Sequence, residues 1–284
     1  MTEARRDRLP TLLDDGVDAR TGFPSSLLRA LPGVFDKLLA LAIVLAIWEG
    51  VVVSGWKPDY VLPPPLTVLG TLAEQLHTRT FWVAVGITMT RAATGYLLAI
   101  VIGTVVGVAV AGSRRLRNAV GSLITGLQTI PSIMWFPFAI LLFQLGESAI
   151  LFVVVMGAAP SIANGIITGI DLVPGQLLSA GRILGAGGAY LYRRVILPAS
   201  LPQVLAGLKQ GWAFSWRSLM AGELLTNGRP ALGVLMQNAR DQVDASLILA
   251  LLITILVIGI VVDLAFSRLD RRIRSRRGLL QPAT

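Results

Sequence analysis

Long apolar runs recur along most of this chain, and each approaches the roughly 20 residues that a membrane-spanning helix needs. The sequence is 54% hydrophobic and only 14% charged, whereas an average soluble domain has about 25% charged residues. A soluble fold of 284 residues would need more polar surface than this composition provides. The sequence therefore predicts an all-α polytopic membrane protein.

The apolar runs predict six transmembrane helices within one domain at residues 34–268. Residues 1–33 form a polar tail without the apolar core of a secretory signal peptide. Residues 269–284 form a second, basic tail, and residues 66–76 are expected to be a short helix outside the membrane. The spans are expected at about 34–54, 81–111, 119–145, 148–168, 201–225 and 245–266.

Lysine and arginine residues are unevenly distributed between the two sides of these spans. The N-terminal region up to Lys37 and the C-terminal region from Arg268 onward hold six each, and the loops at 114–117 and 171–200 hold three each. The loops on the other side hold four. The positive-inside rule therefore places both termini and the 171–200 loop in the cytoplasm. The net charge of +9 then reflects topology and attraction to anionic lipid headgroups, and nucleic acid is not expected as a partner.

The 171–200 loop is a polar interruption between two apolar runs. Pro174 suits the first turn of a helix, which is predicted at 179–184. A second short helix is predicted at 189–197. Glycines break the first helix, because they adopt backbone angles that other residues avoid, and prolines set the start of the next apolar run. These residues are Gly185, Gly187, Gly188, Pro198 and Pro202.

The spacing in this loop resembles that of permease subunits of ABC importers. Those carry Glu-Ala-Ala, three residues, Gly, nine residues, Ile, one residue and Leu-Pro. Gly185 and Leu197-Pro198 match, Val195 stands for the Ile, and Ser179-Ala180-Gly181 stands for Glu-Ala-Ala, so the glutamate is absent. The pieces R-I-L-G-A, R-R-V-I-L-P-A-S-L-P, G-L-K-Q-G-W-A and M-A-G-E-L-L look most like the nitrate/sulfonate/taurine branch. The resemblance covers roughly residues 65–270.

The resemblance implies a type I importer permease in a prokaryotic plasma membrane, with the 171–200 loop as its coupling loop. Its expected partners are a second permease copy, two ATP-binding subunits and an extracytoplasmic solute-binding protein. A non-identical second permease remains an alternative to the homodimer. The solute would be a small anion, either a sulfonate such as taurine or nitrate. The residues implied in coupling to the ATPase are Ser179, Ala180, Gly181, Arg182, Leu184, Gly185, Ala186, Val195, Leu197 and Pro198.

The chain lacks the residues that would make it an enzyme by itself. It contains no G-x-x-x-x-G-K-[ST] phosphate loop, so ATP is expected to bind only to a partner subunit. It has no cysteine and a single histidine, His77, which is expected to be a solvated loop residue and leaves no metal site or cofactor in this chain. An ion-gradient-driven secondary transporter is the alternative function, although it would usually show coupling carboxylates and repeated halves.

Charged residues inside the predicted spans indicate either ion pairing or a role in transport. Arg91 lies in the second span, and Arg217 and Glu223 lie in the fifth. Arg217 and Glu223 are six residues apart, so they do not share a helix face, and Arg91 is the candidate partner for Glu223. An arginine that faces a cavity would suit an anion. All three are therefore assigned both to a structural ion-pair role and, as the alternative, to the translocation path.

Two further patterns concern backbone packing. Pro131 and Pro137 are expected to kink or break the third span, either as a purely structural kink or as part of the translocation path. A small residue recurs every four positions in the second span, which lets another backbone approach closely. Close packing and a sliding surface are the two interpretations of this stripe, which consists of Gly95, Ala99, Gly103, Gly107 and Ala111.

Overall fold

The structure is a computed structural model that describes residues 25–226 and 228–275, and within these ranges its helices are joined by turns and irregular segments, with no strand. A short 3₁₀ turn (Ser132–Trp135) precedes α5, and a π-helical turn (Tyr192–Ile196) precedes α9. The helices are α1 (Ser25–Val53), α2 (Pro65–Leu76), α3 (Arg79–Gly112), α4 (Arg114–Thr129), α5 (Phe136–Phe143), α6 (Glu147–Asp171), α7 (Gly175–Ile183), α8 (Gly188–Leu191), α9 (Leu197–Leu224), α10 (Leu232–Asp241) and α11 (Ala245–Ser275).

Three of the described helices, α3, α6 and α11, are long and apolar enough to cross a membrane. A fourth span results if α4 and residues 132–143 are counted as one bent pair. The predicted spans at 34–54 and 201–225 lie within α1 and α9 except for their last residue, and the six-span topology stays a prediction. The predicted tails at 1–33 and 269–284 lie largely outside the described residues.

Helix α6 is the centre of the bundle, because two thirds of its apolar window is buried against other helices. One of its faces packs against the small-residue stripe of α3. A Cβ atom on Gly103 would lie 2.7 Å from the Ala159 carbonyl oxygen, and one on Gly107 would lie 2.9 Å from the Ala163 carbonyl oxygen. The stripe is therefore a surface of close backbone packing, as its spacing predicts.

The opposite packing partner of α6 is α9, and glycines again set the distance. A Cβ atom on Gly165 would lie 2.5 Å from the Gly207 Cα atom, and a Cβ atom on Gly207 would meet Gly165 at 2.7 Å. No side chain fits between the two helices at this level. Because α9 follows α6 along the chain after the 171–200 loop, the loop connects two helices that are already in backbone contact.

The third apolar run is predicted as a span at 119–145 that Pro131 and Pro137 kink or break, and the structure contains a break. A helix begins at Arg114, inside the residues predicted to form a loop, because the Ser113 side chain accepts a hydrogen bond from the Leu116 N–H and caps it. The helix ends at Thr129, two residues before Pro131. The chain then bends by 103° into α5, so the proline segment breaks the run instead of bending it gently.

The segment at 226–244 also differs from its prediction as a loop, since it contains α10. This helix carries buried apolar residues on one face, including Leu232 and Val234. Leu232 packs with Phe81 and Ala84 of α3 and with Leu251 of α11. The segment is therefore a packed part of the bundle at the end opposite the 171–200 loop.

Candidate functional site

The 171–200 loop folds into two short helical pieces joined by a glycine turn. Helix α7 begins at Gly175, directly after Pro174 and four residues before the predicted start at 179, and it ends at Ile183. The Gly185 N–H then donates to the Arg182 carbonyl at 3.0 Å, and the Ala186 N–H donates to the Gly181 carbonyl at 2.9 Å. This pair of hydrogen bonds is a Schellman motif. It requires the left-handed backbone of Gly185, which has a φ of +82°.

The second piece differs slightly from the predicted helix at 189–197. One turn of α-helix, α8, continues through the π-helical turn directly into α9. Gly181 holds this piece against α7, since a Cβ atom there would lie 2.8 Å from Leu191 Cδ1 and 3.2 Å from Val195 Cγ2. Gly181 itself is buried, and its assignment to the ATPase contact stays a prediction.

The outward surface of the loop is apolar and basic. Ile183 and Leu184 are each 86% exposed at the end of α7. The arginines of the loop are also exposed, and no aspartate or glutamate occurs between Asp171 and Glu223. A groove of about 530 Å³ runs along this surface, and it is lined by Leu177, Ala180, Gly181, Leu184, Arg194, Val195, Pro198 and Ala199.

At the opposite end of the bundle the structure contains the predicted contact between Arg91 and Glu223. Arg91 Nη1 lies 3.2 Å from Glu223 Oε1, and the Glu223 side chain is fully buried. Thr88 donates a hydrogen bond to Glu223 Oε2 at 2.9 Å, and the Gly233 N–H donates to the same oxygen at 3.0 Å. The carboxylate of α9 is thus held by α3 and by the first residues of α10.

Sequence reasoning missed the second carboxylate in this region. Glu147, the first residue of α6, lies with Oε1 3.1 Å from Arg91 Nη2 and 4.0 Å from Arg229 Nη1. A glutamate directly after Gly146 at the start of an apolar run is a signal for the start of a helix. This signal could have placed Glu147 at the end of a span, but it does not identify Arg91 as its partner. We call Thr88, Arg91, Glu147, Glu223 and Arg229 the charged cluster.

Arg217 lies apart from the charged cluster. Its Nε atom donates to the Ala213 carbonyl at 3.1 Å, and its guanidinium lies 5.1 Å from the centre of the Phe214 ring. Among the described residues it makes no ion pair. It lines a cavity of about 310 Å³, which we call the break cavity, together with Pro131 and Ser132 of the broken run. Pro137 lies in α5 and does not line this cavity.

The geometry defines a class of protein: a helical membrane subunit with a broken span, and with a structured polar loop that joins its two most closely packed helices. No group of three or more metal-ligating side chains occurs in the described part of the chain. The comparisons with known proteins agree with this class. The chain belongs to the family of binding-protein-dependent transport system inner membrane components, whose pattern matches residues 99–275.

Several curated relatives are ABC transporter permeases. A permease protein of Methanocaldococcus jannaschii is 30% identical to this chain, with 80% of this chain and 86% of the relative covered. The taurine transport system permease of Escherichia coli is 27% identical over 85% of this chain and 89% of its own length. The nitrate import permease of a Synechocystis strain is 27% identical over 89% of this chain and 91% of its own.

A solved structure gives the same result for the fold. A chain from an inward-facing structure of the MetNI methionine ABC transporter aligns with a TM-score of 0.57 and 22% identity. The alignment covers 66% of this chain and 92% of that chain. The family match and the curated relatives identify this protein as an ABC transporter permease of the nitrate/sulfonate/taurine-type branch, and membership of this family implies a multi-pass protein of a prokaryotic plasma membrane. It is a transport subunit and not an enzyme.

Proposed function

We propose that this chain is the membrane-spanning subunit of an ATP-driven importer that moves a small anionic solute into the cytoplasm by alternating access. It works with a second permease copy, two ATP-binding subunits and an extracytoplasmic solute-binding protein. The observation that supports the proposal is the structure of the 171–200 loop. A Schellman-closed turn presents two exposed apolar residues, Ile183 and Leu184, and the loop is continuous with α9.

The connection to α9 supplies the mechanism. ATP-driven closure of the partner subunits displaces the loop, and the displacement passes into α9 without an intervening flexible link. Since α6 and α9 touch at the Gly165–Gly207 level, the two helices move together. Their movement relative to the broken run opens the path to one side of the membrane or the other.

The anionic class of solute is supported by two observations. Arg217 lines the break cavity without an ion-pair partner among the described residues, and an arginine fork suits the planar or tetrahedral oxygens of an anion. Related permeases are named for the transport of taurine, nitrate, aliphatic sulfonates and bicarbonate. Arg217, together with Pro131, is assigned to the translocation path.

Uptake by the reconstituted complex tests the proposal. The permease, its ATP-binding subunit and its binding protein are placed in proteoliposomes, and accumulation of labelled taurine and nitrate is followed with and without internal ATP. The proposal expects accumulation that requires ATP and binding protein and that survives an ionophore. Accumulation that ignores ATP but collapses with the ion gradient would instead identify a secondary transporter.

A further inference from the structure

The charged cluster contains two arginines that share one carboxylate at the mouth of a cavity. Arg91 and Arg229, which we call the arginine pair, both approach Oε1 of Glu147. The cavity beside them has a volume of about 330 Å³. It is lined by Arg91, Leu145, Gly146, Glu147, Ile150, Thr226, Gly228 and Arg229. The cavity therefore contains two guanidinium groups and one carboxylate, that of Glu147, which both of them approach.

The two arginines differ in how firmly they are held. Arg91 is 4% exposed and is fixed from behind by the buried Glu223. Its Nε atom is buried and has no hydrogen-bond partner among the described residues, so the guanidinium retains unused donor capacity. Arg229 is 75% exposed at its side chain. Arg91 is thus a cation held in a fixed position on one side of the cavity, and Arg229 is a cation that can change its conformation on the other side.

Glu147 is the less constrained of the two carboxylates in the cluster. Its side chain is 50% exposed, whereas the side chain of Glu223 is fully buried and bonded to Thr88 and to the Gly233 N–H. A half-exposed ion pair is worth little, because water and salt screen it. Glu147 can therefore turn towards solvent at low cost, which leaves the arginine pair without its carboxylate.

The position of the cavity gives it a place in transport. Glu147 is the first residue of α6, and the coupling loop follows the last residue, Asp171. The 25 residues of this helix extend over roughly 37 Å at about 1.5 Å per residue. The arginine pair is therefore on the side of the membrane opposite the ATP-binding subunits, where a binding protein delivers solute.

We propose that the arginine pair is an anion-binding site at the outer mouth of the permease, which Glu147 occupies until a solute anion displaces its carboxylate. The inference rests on the proposed function for its ligand class, an oxyanion such as a sulfonate or nitrate. Glu147 acts as an internal competitor with the same chemistry as the solute. The site holds the anion after its release by the binding protein, and the break cavity with Arg217 lies farther along the path.

Binding to the purified full chain tests the site without any need for transport. The melting temperature of the chain in detergent is measured at increasing concentrations of methanesulfonate. Methanesulfonate replaces an equal concentration of gluconate, so that the ionic strength stays constant. Glu147→Gln is expected to lower the apparent Kd about threefold and Arg229→Gln to raise it about threefold, effects typical of a partly exposed ion pair. Arg240→Gln is the matched control, since Arg240 is an exposed arginine that pairs with Asp241 and lies outside this cavity.

The site is disproved if Glu147→Gln and Arg229→Gln bind methanesulfonate with the same Kd as the wild-type chain. The site would also be disproved if Arg240→Gln weakened methanesulfonate binding as much as Arg229→Gln does, because the effect would then come from the general surface charge. Uptake of taurine or nitrate by the wild-type proteoliposomes tests the proposed function separately. Anion uptake without binding at the arginine pair would disprove the proposed binding site but not the proposed function. Binding at the arginine pair without anion uptake would disprove the proposed function but not the binding site.

Discussion

At the scale of single residues, the three charges Arg91, Arg217 and Glu223 lie in different environments. Glu223 is buried and receives donors from two helices, and Arg91 lies between two carboxylates. Arg217 is exposed, and among the described residues it contacts a backbone carbonyl and an aromatic ring but no carboxylate. A buried charge is tolerated when it is paired and costly when its partner is removed. These environments therefore predict different consequences of mutation for stability and for transport.

The Arg91–Glu223 pair is expected to stabilise the fold. Glu223→Gln leaves Arg91 without its buried counter-charge, and breaking such a pair costs about 3–5 kcal/mol. Arg91→Ala should cost a similar amount, and the double variant should cost clearly less than the sum of the two. A double-mutant cycle on the thermal unfolding of the purified chain measures this coupling. Strict additivity of the two changes would show that the pair contributes nothing to stability.

Arg217 is expected to have the reverse phenotype. Arg217→Ala removes an exposed side chain without a carboxylate partner in the described part of the chain, so the melting temperature should change by only a few degrees. Uptake of an anionic solute should fall at least tenfold, which corresponds to about 1.4 kcal/mol of lost interaction. Arg217→Lys should restore part of it. Unchanged uptake in Arg217→Ala would leave that residue with a structural role only.

At the scale of the helices, contacts through glycine determine which elements can move together. Helix α6 touches α3 along Gly103 and Gly107, and it touches α9 at Gly165. Without side chains at these levels, the backbones lie closer than ordinary helix packing allows. Helix α11, by contrast, has only a small buried share of its apolar window and presents most of its surface outward.

A matched pair of alanine variants on α3 tests this packing. Gly103→Ala places a methyl group 2.7 Å from the Ala159 carbonyl oxygen, whereas a methyl group on Gly86 meets nothing within 4 Å. Overpacking of this kind costs about 1–3 kcal/mol, so Gly103→Ala should lower the melting temperature and impair assembly. Gly86→Ala should leave it unchanged or raise it, since alanine is favoured over glycine in helices by about 1 kcal/mol. Equal effects of the two variants would contradict the packing.

The sequence predicted α3 and α6 well and the broken run poorly, for a physical reason. The ends of α3 and α6 lie within three residues of the predicted spans, because hydropathy changes sharply there. The direction of the chain after Pro131 depends on contacts that no local pattern encodes. One example is the close approach of Gly157 to Ser132 and Ser218. Local signals predicted that the run is interrupted, but the 103° bend depends on tertiary packing.

The candidate site shows the same division. The charges of Arg91 and Glu223 could be paired from sequence, because neither is tolerated alone in an apolar span. Glu147 could not be assigned to them, since its position beside Arg91 depends on how α6 packs against α3. The burial of Gly181, which the sequence assigns to the ATPase contact, could likewise not be predicted. Its burial against Leu191 and Val195 arises only when the two pieces of the loop fold together.

At the scale of the whole molecule, α6 connects the two ends of the bundle. At one end Asp171 pairs with Arg117 of α4, and at the other Glu147 pairs with Arg91 of α3. Both pairs are partly exposed and therefore weak enough to exchange partners during a conformational cycle. The 171–200 loop and the cavity beside the arginine pair are thus linked through α6 and its tightly packed neighbour, α9.

The division of labour between subunits predicts the behaviour of the isolated chain. No phosphate-binding loop occurs in the sequence, so the purified permease should release no phosphate from ATP at any concentration. Addition of the ATP-binding subunit should restore hydrolysis. Phosphate release measured by a coupled assay distinguishes the two preparations. Stoichiometric turnover by the permease alone, free of contaminating ATPase, would contradict its membership of a complex with a separate motor.

The coupling loop should transmit ATP-driven movement only while its turn keeps its shape. Gly185→Val forces a β-branched residue into a left-handed backbone at φ +82°, which costs about 1–2 kcal/mol and opens the Schellman turn. Gly175→Val adds the same side chain in the same loop, where a Cβ atom meets nothing within 4 Å and φ lies outside the left-handed region. Only Gly185→Val should abolish uptake, while both proteins still insert into the membrane.

Two measurements on the Gly185→Val complex separate docking from coupling. If the ATP-binding subunit co-purifies but its hydrolysis no longer responds to loaded binding protein, the turn is needed to transmit movement. If the subunit no longer co-purifies, the turn is needed to present Ile183 and Leu184, which are 86% exposed at its edge. Because α7 ends at this turn and the chain runs on through α8 into α9, we expect the first result. Uptake, co-purification and stimulated hydrolysis at the levels of Gly175→Val would show that the loop does not couple this permease to its motor.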